Sequence, residues 1–462
     1  MTSVFKYLKD NNTLVFIILL FFISRYFFFN LGLKADAGHL PHMWQLLHPD
    51  LLANDYFKSL LYLHFQPPMW NSIFGIFVKI YGSNYQDLSN ALNIFNIICS
   101  LVITIYFYFL CKEFAVNNFR IYLLFILFIG LSPSLLMYEN FIHYTNLTVL
   151  FFFQICHAVI KFSKKPNLKN EMKIYFFLIL LMYTWSAFSH PVILFIFGFF
   201  LYLIRKDKKY MSFILLFFVF LISSLPSVKN KYFFNHYSAS FGPGLGLIQV
   251  LQRYDYKFPL CSFELTDISL HEKIYKQDNP NKNFNHPSIV GKVSRWNSVA
   301  FIHRSKACLP VAIDLIKDDP MNYIKRIKFN LISSHGHFAF DFGQKPKNWN
   351  NIFGFFDNLK LNYITNIFKV RSLQLYHLLF HAFFLIIILQ LIINYKKNKS
   401  PLNLSIVAIY YLYAWIIFVS HIGTGFEFER MRHTGHALHV IFFIFLSKNN
   451  FNLLNTFKRI KL

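Results

Sequence analysis

Long apolar runs separated by short polar stretches occupy most of the chain from Leu14 to Leu446. A helix that crosses a bilayer core needs roughly 17–25 mostly apolar residues. Leu14–Phe29 is the first such run, followed by Ala91–Cys111, Ile121–Met137 and Thr145–Ile160. Ile174–Ser189, Val192–Ile204 and Met211–Leu225 come next, some of them short enough to be tilted, paired or partly re-entrant. Leu375–Asn394, Leu404–Ile422 and Ala437–Leu446 complete the set. Met69–Tyr81 is too short and too interrupted to span, so it reads as a helix lying in the membrane interface. In the polar stretch Lys306–Leu331, Asp319-Pro320 predicts a break between two helices, because the residue before proline resists the α region.

The basic residues give these runs a direction. Lys112/Arg120, Lys161/Lys164/Lys165/Lys169/Lys173, Arg205/Lys206/Lys208/Lys209, Lys396/Lys397/Lys399 and Lys448/Lys458/Arg459/Lys461 cluster between runs. With the N-terminus inside and about ten spans, every cluster falls on the cytoplasmic side, as the positive-inside rule requires. The expected fold is an all-α polytopic membrane protein. Residues 1–225 form an N-terminal transmembrane module with a first outer loop over 30–90. Residues 226–372 form a small, mainly helical extracytoplasmic segment, and 373–462 carry the C-terminal transmembrane helices.

Composition agrees with that reading and narrows the function. Hydrophobic residues make up 55% of the chain, Phe occurs 60 times, and only 15% of residues are charged, which excludes a soluble globular enzyme. The +25 net charge raises nucleic acid as a partner, but the cations flank apolar runs instead of forming a stripe, so they report topology. The five cysteines include no CxxC. Cys261 and Cys308 share the outer segment, where they either pair or stay as thiols. Leu14–Phe29 with Ala35-Asp36-Ala37 also mimics a cleaved signal peptide, yet the run is long and aromatic and Lys34 sits beside the supposed cut.

No HExxH, Walker loop, GxSxG or GxGxxG after a strand is present, and Gly242-Pro243-Gly244-Leu245-Gly246 reads as a flexible loop. Titratable side chains instead collect in Lys34–Asn71, with Asp36, His39, His42, His48, Asp50, Asp55, Lys58, His64 and Gln66. Asp36, just past the first run, is placed to take a proton from an incoming hydroxyl or to orient a divalent ion; the alternative is solvated interface polarity. Asp50 follows Pro49, where helix capping is the plainer role. His64, Gln66 and Asn71 can hydrogen-bond a sugar or acceptor, and Pro67-Pro68 sets the start of a helix. Arg25, inside the first run, needs a partner, either an acidic side chain or a phosphate. Glu139 and His143 either line the same cavity or serve packing and capping. Arg430 and Arg432, at the outer end of the last run, either hold a phosphate or snorkel to the interface.

The lone Asp36 after the first span, followed by His64-Phe65-Gln66-Pro67-Pro68-Met69-Trp70-Asn71, resembles the GT-C glycosyltransferases. Within them it is closest to the protein O-mannosyltransferase and lipid A aminoarabinose transferase superfamily. Leu131-Ser132-Pro133-Ser134-Leu135-Leu136-Met137-Tyr138-Glu139 with His143-Tyr144, and Phe426-Glu427-Phe428-Glu429-Arg430-Met431-Arg432-His433, are similar to other parts of such enzymes. The resemblance implies a GT-C-like bundle that moves a sugar from a polyprenyl-phosphate-linked donor to a glycan, lipid or protein acceptor on the outer face. It implies Asp36 as the base. Many members carry paired acidic residues at that place; here one stands, with Asp50 and Asp55 as the candidates to complete a divalent-cation site. The implied partners are the lipid donor and membrane lipid, not nucleic acid. The expected location is a bacterial inner membrane, with the endoplasmic reticulum second. Three rivals remain: a transporter or flippase of a lipid-linked substrate, a non-catalytic assembly protein, and a polymerase or ligase of surface polysaccharide.

Overall fold

The computed structural model describes residues 12–35, 37, 40, 46–188, 190–205, 209–240, 246–248, 250–251, 299–334, 385–396, 398–419 and 433–448. Among the described residues the regular structure is helical and contains no strand.

α1 (Asn12–Asn30) is an unbroken aromatic and aliphatic helix. It ends where Gly32 takes φ 95°, a left-handed turn that costs glycine little. That turn lets the N–H of Leu33 reach Phe28 O and the N–H of Gly32 reach Phe29 O, closing two terminal carbonyls. Three short helices follow: α2 (Pro49–Asn54), α3 (Tyr56–Tyr62) and α4 (Met69–Tyr81). α4 has the limits expected of the interfacial helix, and Pro68 caps its start without needing an N–H. α5 (Tyr85–Glu113) is the longest helix, capped by Asn84, whose side chain accepts from the N–H of Gln86.

The third apolar run is not one straight helix. α6 (Asn118–Phe125) passes into a π turn over Ile126–Gly130, and α7 (Pro133–Asn140) starts afresh behind a Ser132 cap. Pro133 cannot extend the helix before it but fits the first turn of the next, so the apolar stretch carries a bend. α8 (Thr145–Lys164) lies at the centre: 89% of its apolar window is buried, against 33% for α1 and 22% for α11 (Lys209–Phe234). The exposed Phe213, Phe217, Phe218, Leu221 and Leu225 of α11 thus form an apolar outer surface suited to lipid.

α9 (Leu168–Thr184) and α10 (Pro191–Ile204) complete this part of the bundle. Gly198 lets α10 approach α11, since a Cβ there would lie 2.7 Å from Leu216 Cδ1. Pro226 is the natural place to end the seventh run, yet α11 continues through it to Phe234. A proline leaves the carbonyl four residues back without its helical donor. That carbonyl, Ile222 O, instead accepts from the Tyr183 hydroxyl of α9 at 2.7 Å. The boundary expected at 225 therefore falls inside a helix.

α12 (Val299–Asp318) and α13 (Pro320–Ser334) break at Asp319-Pro320, and Asp319 caps α13 by accepting from the N–H of Asn322. α14 (Leu385–Lys396), α15 (Pro401–Val419) and α16 (His436–Lys448) are the last described helices. Among the described residues five helices (α1, α5, α8, α11 and α15) are long and apolar enough to cross a membrane, and Asn118–Gly130, α10 and α14 are shorter apolar segments. The chain is therefore a membrane protein by the character of its helices.

In the direction expected from the basic clusters, the end of the bundle carrying 46–84 is termed outer and that carrying Lys161–Lys173 inner. Inner-end links join Lys164 to Glu113 and Arg205 to Glu171. Outer-end links join Arg25 to Glu139, Thr148 to Thr434, His436 to Phe128 O, Trp415 Nε1 to Ala187 O, and Lys229 to Leu63 O.

Candidate functional site

At the outer end, Arg25 of α1 meets Glu139 of α7, both buried. Nε lies 3.1 Å from each carboxylate oxygen and Nη2 2.5 Å from Oε1. Nη1 donates to Ile129 O at 3.1 Å and Gly130 O at 3.3 Å, carbonyls at the end of the π turn, and to Ser24 Oγ at 3.0 Å. The guanidinium also lies over the Phe21 ring, 4.2 Å from its centroid. Of the two partners open to Arg25, the fold supplies the acidic one. Asn93 of α5 joins the group, donating to Glu139 O and to Asn140 Oδ1. Breaking such a buried pair by removing one member costs about 3–5 kcal/mol, because a charge is left without compensation.

The first outer loop folds back onto this end. His48 caps α2, and its Nδ1 accepts from the N–H of Asp50; the Asp50 carboxylate lies 3.5 Å from the same ring and is largely exposed. Asp55 pairs with Lys58 at 3.3 Å. Each of these carboxylates faces its own neighbour, and neither forms a described donor set with the other. Burial raises the Tyr62 hydroxyl above its ordinary value, with Lys58 opposing and Asp55 adding to the shift. Asn71 is buried and accepts from the N–H of Leu47 at 2.8 Å, which pins the loop to α4. His64 is buried, with Nδ1 3.0 Å from Tyr62 O and its ring 4.5 Å from that of Phe234. Gln66 Oε1 and Trp70 Nε1 are buried without a hydrogen-bond partner.

The outer helical segment seals the other side of the loop. Tyr62 and Phe234 share an apolar cluster with Ile302, Cys308 and Ala312 of α12. Two ammonium groups meet at Asn235, beyond α11: Lys231 Nζ donates to its Oδ1 at 2.6 Å and Lys306 Nζ to its main-chain oxygen at 3.1 Å. Burial, reinforced by Lys231, lowers the Lys306 pKa. Burial and the Lys306 charge likewise lower His236, against a hydrogen bond that the ring donates to the Ser240 carbonyl. Cys308 is disulfide-bonded, whereas Cys99, Cys111 and Cys156 are free and buried. Cys261 lies outside the described residues.

A polar seam runs inward from the Arg25–Glu139 pair. Asn93, Asn96, Ser100 and Thr104 repeat at helical spacing on α5. Asn146 of α8 donates to Asn96 O and Ser100 Oγ, and Thr148 meets Thr434 at 3.2 Å. His143, buried, holds Thr145 Oγ1 at 2.7 Å. His433 stacks on Tyr138 with ring centroids 4.9 Å apart, and both its nitrogens are buried without a partner. Both polar side-chain atoms of Asn96 are in the same condition.

Asp36, Arg430 and Arg432 lie outside the described residues, as do His39 and His42. Arg25 and Glu139 come together, His143 is held by Thr145 at the start of α8, and His64 and Asn71 are each tied to other parts of the first loop. Among the described residues no three His, Cys, Asp or Glu side chains gather as a metal site. Lys229, Asn93, His433 and the inner Glu171–Arg205 pair were not singled out in the sequence. Lys229 was hidden by reading Pro226 as a stop. Glu171, an acid in a basic loop, was the one available signal for the inner pair. Neither a protein-family model nor a curated protein matches the chain.

Proposed function

We propose that the chain transfers a sugar from a polyprenyl-phosphate-linked donor to an acceptor hydroxyl at the outer surface of a membrane, through a GT-C-like bundle of about ten spans. The observation that supports it most is the folded outer mouth. A loop bearing His64, Gln66 and Asn71 is clamped by Asn71 and by the apolar contacts of Tyr62 and Phe234, and a buried Arg25–Glu139 pair anchors the end of α1 to α7. The bonded Cys308 suits an oxidising outer compartment, and a bacterial inner membrane is the location this reading favours.

In the reaction the acceptor oxygen attacks the anomeric carbon as the bond from that carbon to the phosphate oxygen breaks. The electron pair leaves with the lipid phosphate, and the acceptor proton passes to the Asp36 carboxylate. Inversion follows from this single displacement. Arg430 and Arg432 stabilise the departing phosphate, while Arg25 acts by holding Glu139 and the bend before α7. No step is drawn through a divalent cation, because among the described residues Asp50 and Asp55 join no group of three potential ligands.

The test is sugar transfer in proteoliposomes from a panel of polyprenyl-phosphate sugars, comparing wild type with Asp36→Asn. Transfer by wild type that disappears in a normally folded variant supports the reading and the base. Transfer that survives the substitution removes Asp36 from the chemistry.

A second reading, transport of a lipid-linked substrate, is favoured by the buried seam of Asn96, Asn146 and His433, whose unpartnered atoms suit water or a polar cargo. Movement of a lipid-linked sugar across the bilayer by wild type, without transfer and impaired by Asn96→Leu, would select it.

A further inference from the structure

Lys229 sits near the outer end of α11, beyond Pro226, and its ammonium donates to the main-chain oxygen of Leu63 in the first outer loop. The next residue is His64, whose ring packs on Phe234 at the end of the same helix. The side chain is half-buried, and among the described residues no carboxylate pairs with it. A carbonyl satisfies one of its three N–H groups and compensates its charge only in part.

Its surroundings explain why this cation stands out. Arg25 is fully occupied by Glu139 and two carbonyls. Lys58 answers Asp55, and Lys231 and Lys306 are turned to Asn235. Further along the loop, the Trp70 indole N–H is buried without an acceptor. Lys229 of α11 therefore brings a positive charge with spare donors against the first loop, which itself carries an unused N–H donor in Trp70.

We infer that Lys229 is the loop's phosphate-binding cation, holding the phosphate of a lipid-linked phosphate ester beside His64. This rests on the transfer reading for its place in a reaction, but not for the binding itself. An ammonium acts on phosphate as a point charge and needs no fork geometry, so one lysine at a loop-to-helix junction suffices. The phosphate takes the donors that Leu63 O leaves unused, and its charge supplies the counterion the fold omits.

The experiment measures binding to the full-length protein in detergent by quenching of intrinsic tryptophan fluorescence. The probes are polyprenyl monophosphate, phosphatidylglycerol and inorganic phosphate. Lys229→Gln keeps a donor for Leu63 O and removes the charge; Lys229→Arg keeps both. The expected result is polyprenyl monophosphate binding that weakens about tenfold or more in Lys229→Gln, recovers in Lys229→Arg, and leaves thermal unfolding unchanged. An equal loss with phosphatidylglycerol supports the site and broadens it to phospholipid headgroups. Unchanged lipid affinity in Lys229→Gln, or binding of inorganic phosphate but of neither lipid, overturns the inference. Lipid binding that depends on Lys229, in a protein that transfers no sugar, would leave this inference standing and remove the transfer reading.

Discussion

Two buried arginine–glutamate pairs hold the bundle, one at each end, and they are built differently. At the inner end Arg205, just after α10, meets Glu171 in the first turn of α9, the preceding helix in sequence, and both helices pack on α11. At the outer end Arg25 meets Glu139 across 114 residues, and its remaining N–H groups bond the carbonyls freed where α6 gives way to α7. The inner pair staples two helices consecutive in the chain. The outer pair fixes the first helix to a bend in the third apolar run, and through Asn93 it fixes α5 as well. One chemistry thus does local work at one end and long-range work at the other, where the candidate site lies.

The sharpest way to break that contrast is to remove Arg25. Arg25→Met should destabilise the protein by about 3–5 kcal/mol, since Glu139 is left charged and buried. Unfolding in detergent or by steric trapping would measure it. The double variant Arg25→Met/Glu139→Leu should regain much of that loss, because desolvation of both ions is then avoided. If the outer pair also shapes the mouth, the recovered double variant should still be impaired in phosphate-lipid binding. Full recovery of both stability and binding would reduce the pair to a staple like the inner one.

Glu171→Leu probes the other half. Arg205 then loses its carboxylate, and a stability loss of similar order, about 3 kcal/mol, is expected. Its neighbours are inner-end residues, so ligand binding by the folded fraction should be unchanged. A variant that folds but has lost binding would show that the two ends are coupled through α9 and α10, contrary to the division drawn here.

The two ends also differ in how far the sequence discloses them. Apolar runs and basic clusters mark the helices and their alternation, and single residues set some limits sharply. Met69 behind Pro67-Pro68 opens α4, and Asp319-Pro320 separates α12 from α13. Each of these depends on backbone preferences within a few residues. Helix continuity is less legible, because hydropathy records how apolar a segment is and not whether its hydrogen bonds run through. Ile121–Met137 reads as one span although it bends before Pro133, and Met211–Leu225 reads as ending at Pro226 although α11 runs on. The partner of Arg25 was less legible still: the cost of an unpaired charge says that a partner exists, but only tertiary packing says that it is Glu139 and not a phosphate. Lys229 lay past a proline that looked like a terminator, which is why its approach to Leu63 emerged only from the fold.

Pro226 supplies the smallest test. Helix α9 is held at its inner end by Glu171 and towards its outer end by the Tyr183 hydroxyl on Ile222 O. Interhelical hydrogen bonds between membrane helices contribute on average only about 0.6 kcal/mol, with a maximum near 1.7. Tyr183→Phe should therefore cost about 0.6–1.7 kcal/mol, well below the loss in Glu171→Leu. Combining it with Pro226→Ala separates the two sources of that cost. Alanine restores the N–H that Ile222 O lacks, so Tyr183→Phe should become nearly neutral in that background. Equal losses in both backgrounds would show that the hydroxyl contributes something other than completion of the proline-interrupted helix. The link at the outer end of α9 would then need another explanation.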